Sequence, residues 1–249
     1  VNSKKIKIFS AFVFLILSNR AFSFPEMVRH GYVNCMSCHV NPSGSGVLTQ
    51  YGRELSKELL SHKSKEEESD FVYGLIKTPE WLTLGGDFRS LLLFKDSPTA
   101  QEGKLILMQE DLEGVAAYGK FSIGGTGGYK DSHFISRRHY LYYRPQDEWS
   151  FRGGKFQPVF GINTPDHAIV TKRGLNWDQG SETYNLEAAW IGESYNIFLS
   201  AIFGRPDDRK LNREKGAALN ANMAFLDRFK TGLSYFYGEN SLQKRHLYG

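Results

Sequence analysis

From Trp81 onward, apolar side chains recur at every second residue, and this alternation constrains the fold more than any other feature of the chain. In "YNIFLSAIF" Ile197, Leu199, Ala201 and Phe203 share one side. In "LNANMAF" Leu219, Ala221, Met223 and Phe225 oppose Asn220, Asn222 and Ala224, and in "FKTGLSYFY" Phe229, Leu233, Tyr235 and Tyr237 oppose Lys230, Gly232 and Ser234. Successive side chains of a strand point to opposite faces, so each run reads as a strand with one apolar and one small or polar face. Such runs lie near 81–94, 104–112, 115–129, 137–144, 149–157, 184–192, 195–203, 216–225, 229–238 and 244–249, which makes the chain mainly β and antiparallel. Two architectures fit: a sandwich with its apolar faces turned inward, or a membrane barrel with them turned outward. Aromatics near the ends of the runs (Trp81, Tyr142, Tyr143, Trp149, Trp190, Tyr195, Tyr237) and the short turns "GES" and "LDR" favour the barrel. The last run is shorter than the roughly 9 to 11 residues of a spanning strand, which predicts that the chain as given stops before the barrel is complete.

A barrel facing lipid requires export, and the N-terminus has the pattern of an export signal. Lys4, Lys5 and Lys7 precede an apolar run from Ile8 to Leu17, followed by Ala21 and Ser23 as the small residues of a cleavage site. Residues 1–23 read as a cleaved signal peptide, with the mature chain starting at Phe24. The formal net charge of +4 includes Lys4, Lys5, Lys7 and Arg20, so it falls to about zero on cleavage. A basic balance confined to a leader argues against nucleic acid as a partner.

The only two cysteines, Cys35 and Cys38, stand in "VNCMSCHVNPSGSG", with His39 directly after the second. Three chemistries use this spacing: a redox dithiol, half of a zinc site, and covalent attachment of haem c. No further cysteines complete a zinc site, and nothing nearby reads as a thioredoxin-like unit. Two thiols one turn apart suit the two vinyl groups of a porphyrin, and the following histidine suits the iron as proximal ligand. The favoured reading is one covalent haem c on Cys35 and Cys38 with His39 on the iron; a redox dithiol is the alternative. Pro42, Gly44 and Gly46 supply a turn and positions where backbone passes close to a flat ring. For the sixth ligand His30 is the leading candidate, ahead of Met27, with Met36 and His62 also in range. An open sixth position would instead favour peroxide or sensing chemistry.

"LTQYGRELSKELL" places Leu48, Tyr51, Leu55 and Leu59 on one stripe of a short helix that would cover the haem. The charged "SHKSKEEESD" after it reads as a linker. The domain plan is thus 24–61 for a small helical haem domain, 62–80 for the linker and 81–249 for the barrel. One long connection, "QPVFGINTPDHAIVTKRGLNWDQGSET", is the kind that folds into a barrel mouth, with Lys172, Arg173, Trp177 and Asp178 as its candidate contacts.

A signal peptide, the single motif "CMSCH", the helix "LTQYGREL" and then a barrel resemble, in that order, the fused cytochrome-porin family: outer-membrane proteins with a monohaem c domain ahead of a porin barrel. "GGKFQPVFGIN" is also similar to a strand-and-loop segment of phosphate-selective-type porins. The resemblance implies residence in the bacterial outer membrane and single-electron transfer between an extracellular donor or acceptor and a periplasmic electron-carrier protein. It includes iron-oxidising members, so an oxidoreductase acting on an extracellular metal such as Fe(II) stays open beside a plain carrier. Two alternatives also stand: a solute porin with a haem plug or gate, and a five-coordinate haem peroxidase or sensor.

Overall fold

The computed structural model describes residues 27, 30, 32, 34–42, 44, 46–62, 65–97, 100–130, 133–161, 175, 177, 180–225 and 229–249. The leader read over 1–23 lies outside them. Ten strands follow: β1 (Leu82–Ser97), β2 (Ala100–Tyr118), β3 (Phe121–Lys130), β4 (His133–Tyr143), β5 (Trp149–Phe156), β6 (Thr183–Ile191), β7 (Tyr195–Phe203), β8 (Lys215–Phe225), β9 (Phe229–Glu239) and β10 (Lys244–Tyr248). They form one antiparallel sheet in chain order. Among the described residues β1 and β10 each pair with a single neighbour, so the predicted barrel is present as a sheet that does not close.

The division between the second and third strands differs from the sequence reading. The runs 104–112 and 115–129 are divided elsewhere: β2 continues through Gly114, which pairs with both Leu84 and Gly125, and the chain turns only at Gly119. Gly119 has φ +57°, a conformation glycine adopts without strain, and that sets the turn. Gly114 weakens a strand pattern on paper, but pairing on both sides holds it in place.

The two faces of the sheet differ in chemistry as the alternation requires. Along β7, Tyr195, Ile197, Leu199, Ala201 and Phe203 are exposed, whereas Asn196, Phe198, Ser200 and Ile202 are buried. Across the sheet the outward residues include Phe88, Leu112, Ile123, Leu141, Leu186, Leu219 and Leu233, while Glu113, Thr126, Arg152, Asn185, Glu187 and Asn220 are buried. Leu199 is 56% exposed and its neighbour Ser200 only 1%.

A register shift between Thr126 and Gly127 strengthens the polar face. It lets two consecutive side chains of β4 reach the same row of β2: Arg137 pairs with Asp111 and Arg138 with Glu113. Two residues facing one partner position is the geometry of a β-bulge.

The sheet's two ends also differ. One carries only short connections, at 119–120, 144–148, 192–194 and 226–228; the other carries the long ones, at 157–182 and 204–214. From the first of these Trp177 folds back onto the inner face, its ring 4.8 Å from that of Phe236 and its Nε1–H donated to the Pro158 carbonyl at 3.2 Å. Of the other candidate contacts in that connection, Lys172, Arg173 and Asp178 lie outside the described residues. For residues 34–61 the structure shows a 3-10 turn, Cys35–Ser37, and one helix, α1 (Gln50–Leu60). The stretch read as a linker carries a further 3-10 turn, Glu66–Ser69.

Candidate functional site

Cys35, Cys38 and His39 lie on one tight turn. The Asn34 side chain starts it by accepting the Met36 N–H at 3.0 Å. The Cys38 and His39 N–H groups close it onto the Cys35 carbonyl at 3.3 and 2.9 Å. Both thiols are free and half-buried. Burial, and secondarily the adjacent Cys35, push the Cys38 thiol above its ordinary range. Among the described residues no three His, Cys, Asp or Glu side chains are gathered as a metal cage. The chemistry on offer is therefore two thiols and an imidazole on a single turn.

Local backbone bonds fix this turn to α1. Thr49 donates its N–H to the Cys38 carbonyl at 2.8 Å and caps α1 by accepting the Gly52 N–H at 3.1 Å. His39 and Leu48 form a β-bridge, and the Val40 N–H reaches the Val47 carbonyl at 3.1 Å. The loop between them turns at Gly44 and Gly46, with φ +80° and +73°. A Cβ at Gly44 would stand 3.4 Å from Cys35 Sγ, so the missing side chain leaves that flank of the thiol clear.

The helix meets the cysteine turn through Gly52 and not through its apolar stripe. Tyr51 and Leu59 are exposed, Leu48 and Leu55 are half-buried, and the buried residue of α1 is Gly52. A side chain there would run into the backbone of Cys38. We expect Gly52→Val to cost about 1–3 kcal/mol through overpacking. It should show as faster tryptic cleavage within α1, and an unchanged cleavage rate would deny that α1 is seated on Cys38.

The turn is seated on the inner face of the sheet. Met36 packs against Val159, Ala189, Ile191 and Phe198, with its sulfur 3.9 Å from the Tyr142 hydroxyl. Cys35 Sγ lies 4.0 Å from Lys230 Nζ, Val47 lies against Gly85, and Gly46 lies against the Glu113 carboxylate. Asn41 accepts a hydrogen bond from Arg152 at 2.7 Å. One short segment therefore touches strands from β1 to β9. Gly44 adjoins Cys35, and Val47 is at most about 10 Å of chain from Gly44. In a flat sheet β1 and β9 would stand eight spacings apart, about 38 Å. The sheet must curl around the segment. Tyr142, Ile191 and Lys230 flank the short connections, so the segment occupies the short-turn end of the curl.

His30 precedes this turn in the chain. It is exposed in a separate turn, in which the N–H groups of His30 and Tyr32 bond to the Met27 carbonyl at 3.1 and 3.0 Å. A hydrogen bond between Tyr32 and Tyr51 ties that turn to α1 and raises the Tyr51 hydroxyl's pKa. The structure thus brings Cys35, Cys38 and His39 together on one turn and places His30 on another.

Sequence reasoning missed Asn41, Glu113, Arg152 and Glu187, which hold the segment. The signal was present for three of them: Glu113, Arg152 and Glu187 are charges within strands, on the small-residue face of the alternation. No known protein family matches this chain, and neither does any curated protein or solved structure.

Proposed function

We propose that the chain is an outer-membrane electron-transfer protein that carries one covalent haem c on Cys35 and Cys38, with His39 on the iron. The observation that supports it best is the seat of the CxxCH turn: the inner face of a curled sheet, where charged and amide side chains stand among buried apolar ones, while the outer face is apolar. The residues fit the group, since two free thiols and an imidazole share one turn and Gly44 leaves the Cys35 flank clear. When bound, haem c supplies one-electron chemistry at its iron.

The chain's own residues supply the rest. Cys35 and Cys38 would hold the group through two thioethers, Asn34 and Thr49 hold the turn that carries His39, and His30 is the candidate for a second iron ligand. The apolar face meets a hydrocarbon layer about 30 Å thick, which otherwise keeps an extracellular donor or acceptor apart from a periplasmic electron-carrier protein. An extracellular metal such as Fe(II) is a substrate of this reading. A second reading, a solute porin plugged by the haem segment, draws on the paired charges Arg137–Asp111 and Arg138–Glu113 lining the inner face and on the inward fold of Trp177.

One optical spectrum of the protein purified from membranes tests the proposal: haem c bands are expected, and their absence would sink it. The membrane half has its own test. In water Leu199→Arg at a 56% exposed site is close to neutral, but near a bilayer midplane it costs about 2–4 kcal/mol. We expect the larger value in unfolding from lipid vesicles, and near-neutral behaviour there would argue for a water-facing sheet.

A further inference from the structure

We infer that Arg152 is the positioning residue that seats the cysteine turn on the sheet, acting through Asn41. Its side chain is enclosed, at 3% exposure for the residue. One arm of the guanidinium donates to Glu187 Oε1 at 2.7 Å, and the other Glu187 oxygen accepts the Ser200 hydroxyl at 3.1 Å. The guanidinium carbon lies 3.7 Å from the centre of the Phe156 ring and 5.6 Å from that of Tyr140. Residues of β4, β5, β6 and β7 therefore brace one planar fork, and its remaining arm donates to Asn41 Oδ1 at 2.7 Å.

Asn41 stands two residues after His39, and its carbonyl accepts the Gly44 N–H at 2.9 Å. Holding Asn41 fixes a loop that begins at the iron-ligand candidate and ends against Cys35. A buried ion pair is weak evidence for stability, because desolvation offsets most of its attraction. Orientation is what the fork adds here: arginine's rigid, bidentate geometry directs one arm at the loop while the other is anchored.

The effect on iron rests on the haem reading; the effect on the loop does not. The experiment uses the full chain in two forms, haem-free and haem-loaded. In the haem-free chain, native-state alkylation of Cys35 and Cys38 by iodoacetamide should run about ten- to a hundredfold faster in Asn41→Ala, which leaves the Arg152–Glu187 pair intact. Arg152→Lys keeps the charge but loses the fork, and should move the rate in the same direction. In the haem-loaded chain, Asn41→Ala should shift the reduction potential. An Asn41→Ala chain with the parent's alkylation rate and the parent's potential overturns the assignment. A parent chain that takes up no haem removes the electron-transfer reading, yet the alkylation rates still decide whether Arg152 holds the loop.

Discussion

On the proposed haem reading, a chain with both Cys35 and Cys38 replaced by serine should keep its sheet intact and lose the parent's haem staining on a denaturing gel. Only a covalently attached haem survives denaturation, and a serine hydroxyl does not form the thioether that a thiolate does. Each single variant should keep one link and stain more weakly. The sheet should persist because the segment's grip on it comes from Met36, Asn41 and Val47, while the two cysteines are only half-buried. Circular dichroism of the double variant separates the two effects: retained strand signal with lost stain is the expected result. Persistent stain in the double variant would place the haem elsewhere.

The second large effect concerns Glu187. Both it and Arg152 have side chains 1% exposed, paired at 2.7 Å. Glu187→Leu leaves a guanidinium enclosed among Phe156, Tyr140 and the sheet, with the neutral Asn41 as its remaining hydrogen-bond partner among the described residues. Breaking a buried pair from one side costs about 3–5 kcal/mol. Removing both charges with Arg152→Met and Glu187→Leu together should recover part of that loss, since each single change leaves a penalty that the double change removes. Urea unfolding of the three variants gives the coupling directly. A cost below about 1 kcal/mol for Glu187→Leu would mean that water reaches the pair and solvates the stranded arginine.

Much of this was legible in the sequence, and the reasons differ from part to part. The strands of β7, β8 and β9 were readable because a period of two leaves no other use for Leu199, Leu219 and Leu233. The cysteine turn was readable because Cys35, Cys38 and His39 are neighbours in the chain and need no tertiary structure to meet. The division between β2 and β3 was not, because Gly114 and Gly119 look alike in a string and differ only in which has partners on both sides. The role of Gly52 was hidden by the apolar stripe beside it: a hydrophobic period predicts a buried face, while a glycine that lets two backbones meet leaves no periodic trace. Asn41 and Arg152 lie 111 positions apart, and no local pattern connects them.

The contacts that seat the segment carry a consequence for the order of assembly. Met36 meets Tyr142 across 106 positions, Asn41 meets Arg152 across 111, and Cys35 meets Lys230 across 195. Such distant pairings form slowly, because the chain loses loop entropy before any contact rewards it. The residues that receive the segment are also spread over separate strands, so its seat exists only after β4 to β9 have paired and curled. During biogenesis the cysteine turn is therefore one of the last parts of the molecule to be enclosed. That delay leaves both thiols accessible while the strands pair, so a haem of the kind proposed would be attached before the curling sheet encloses its site.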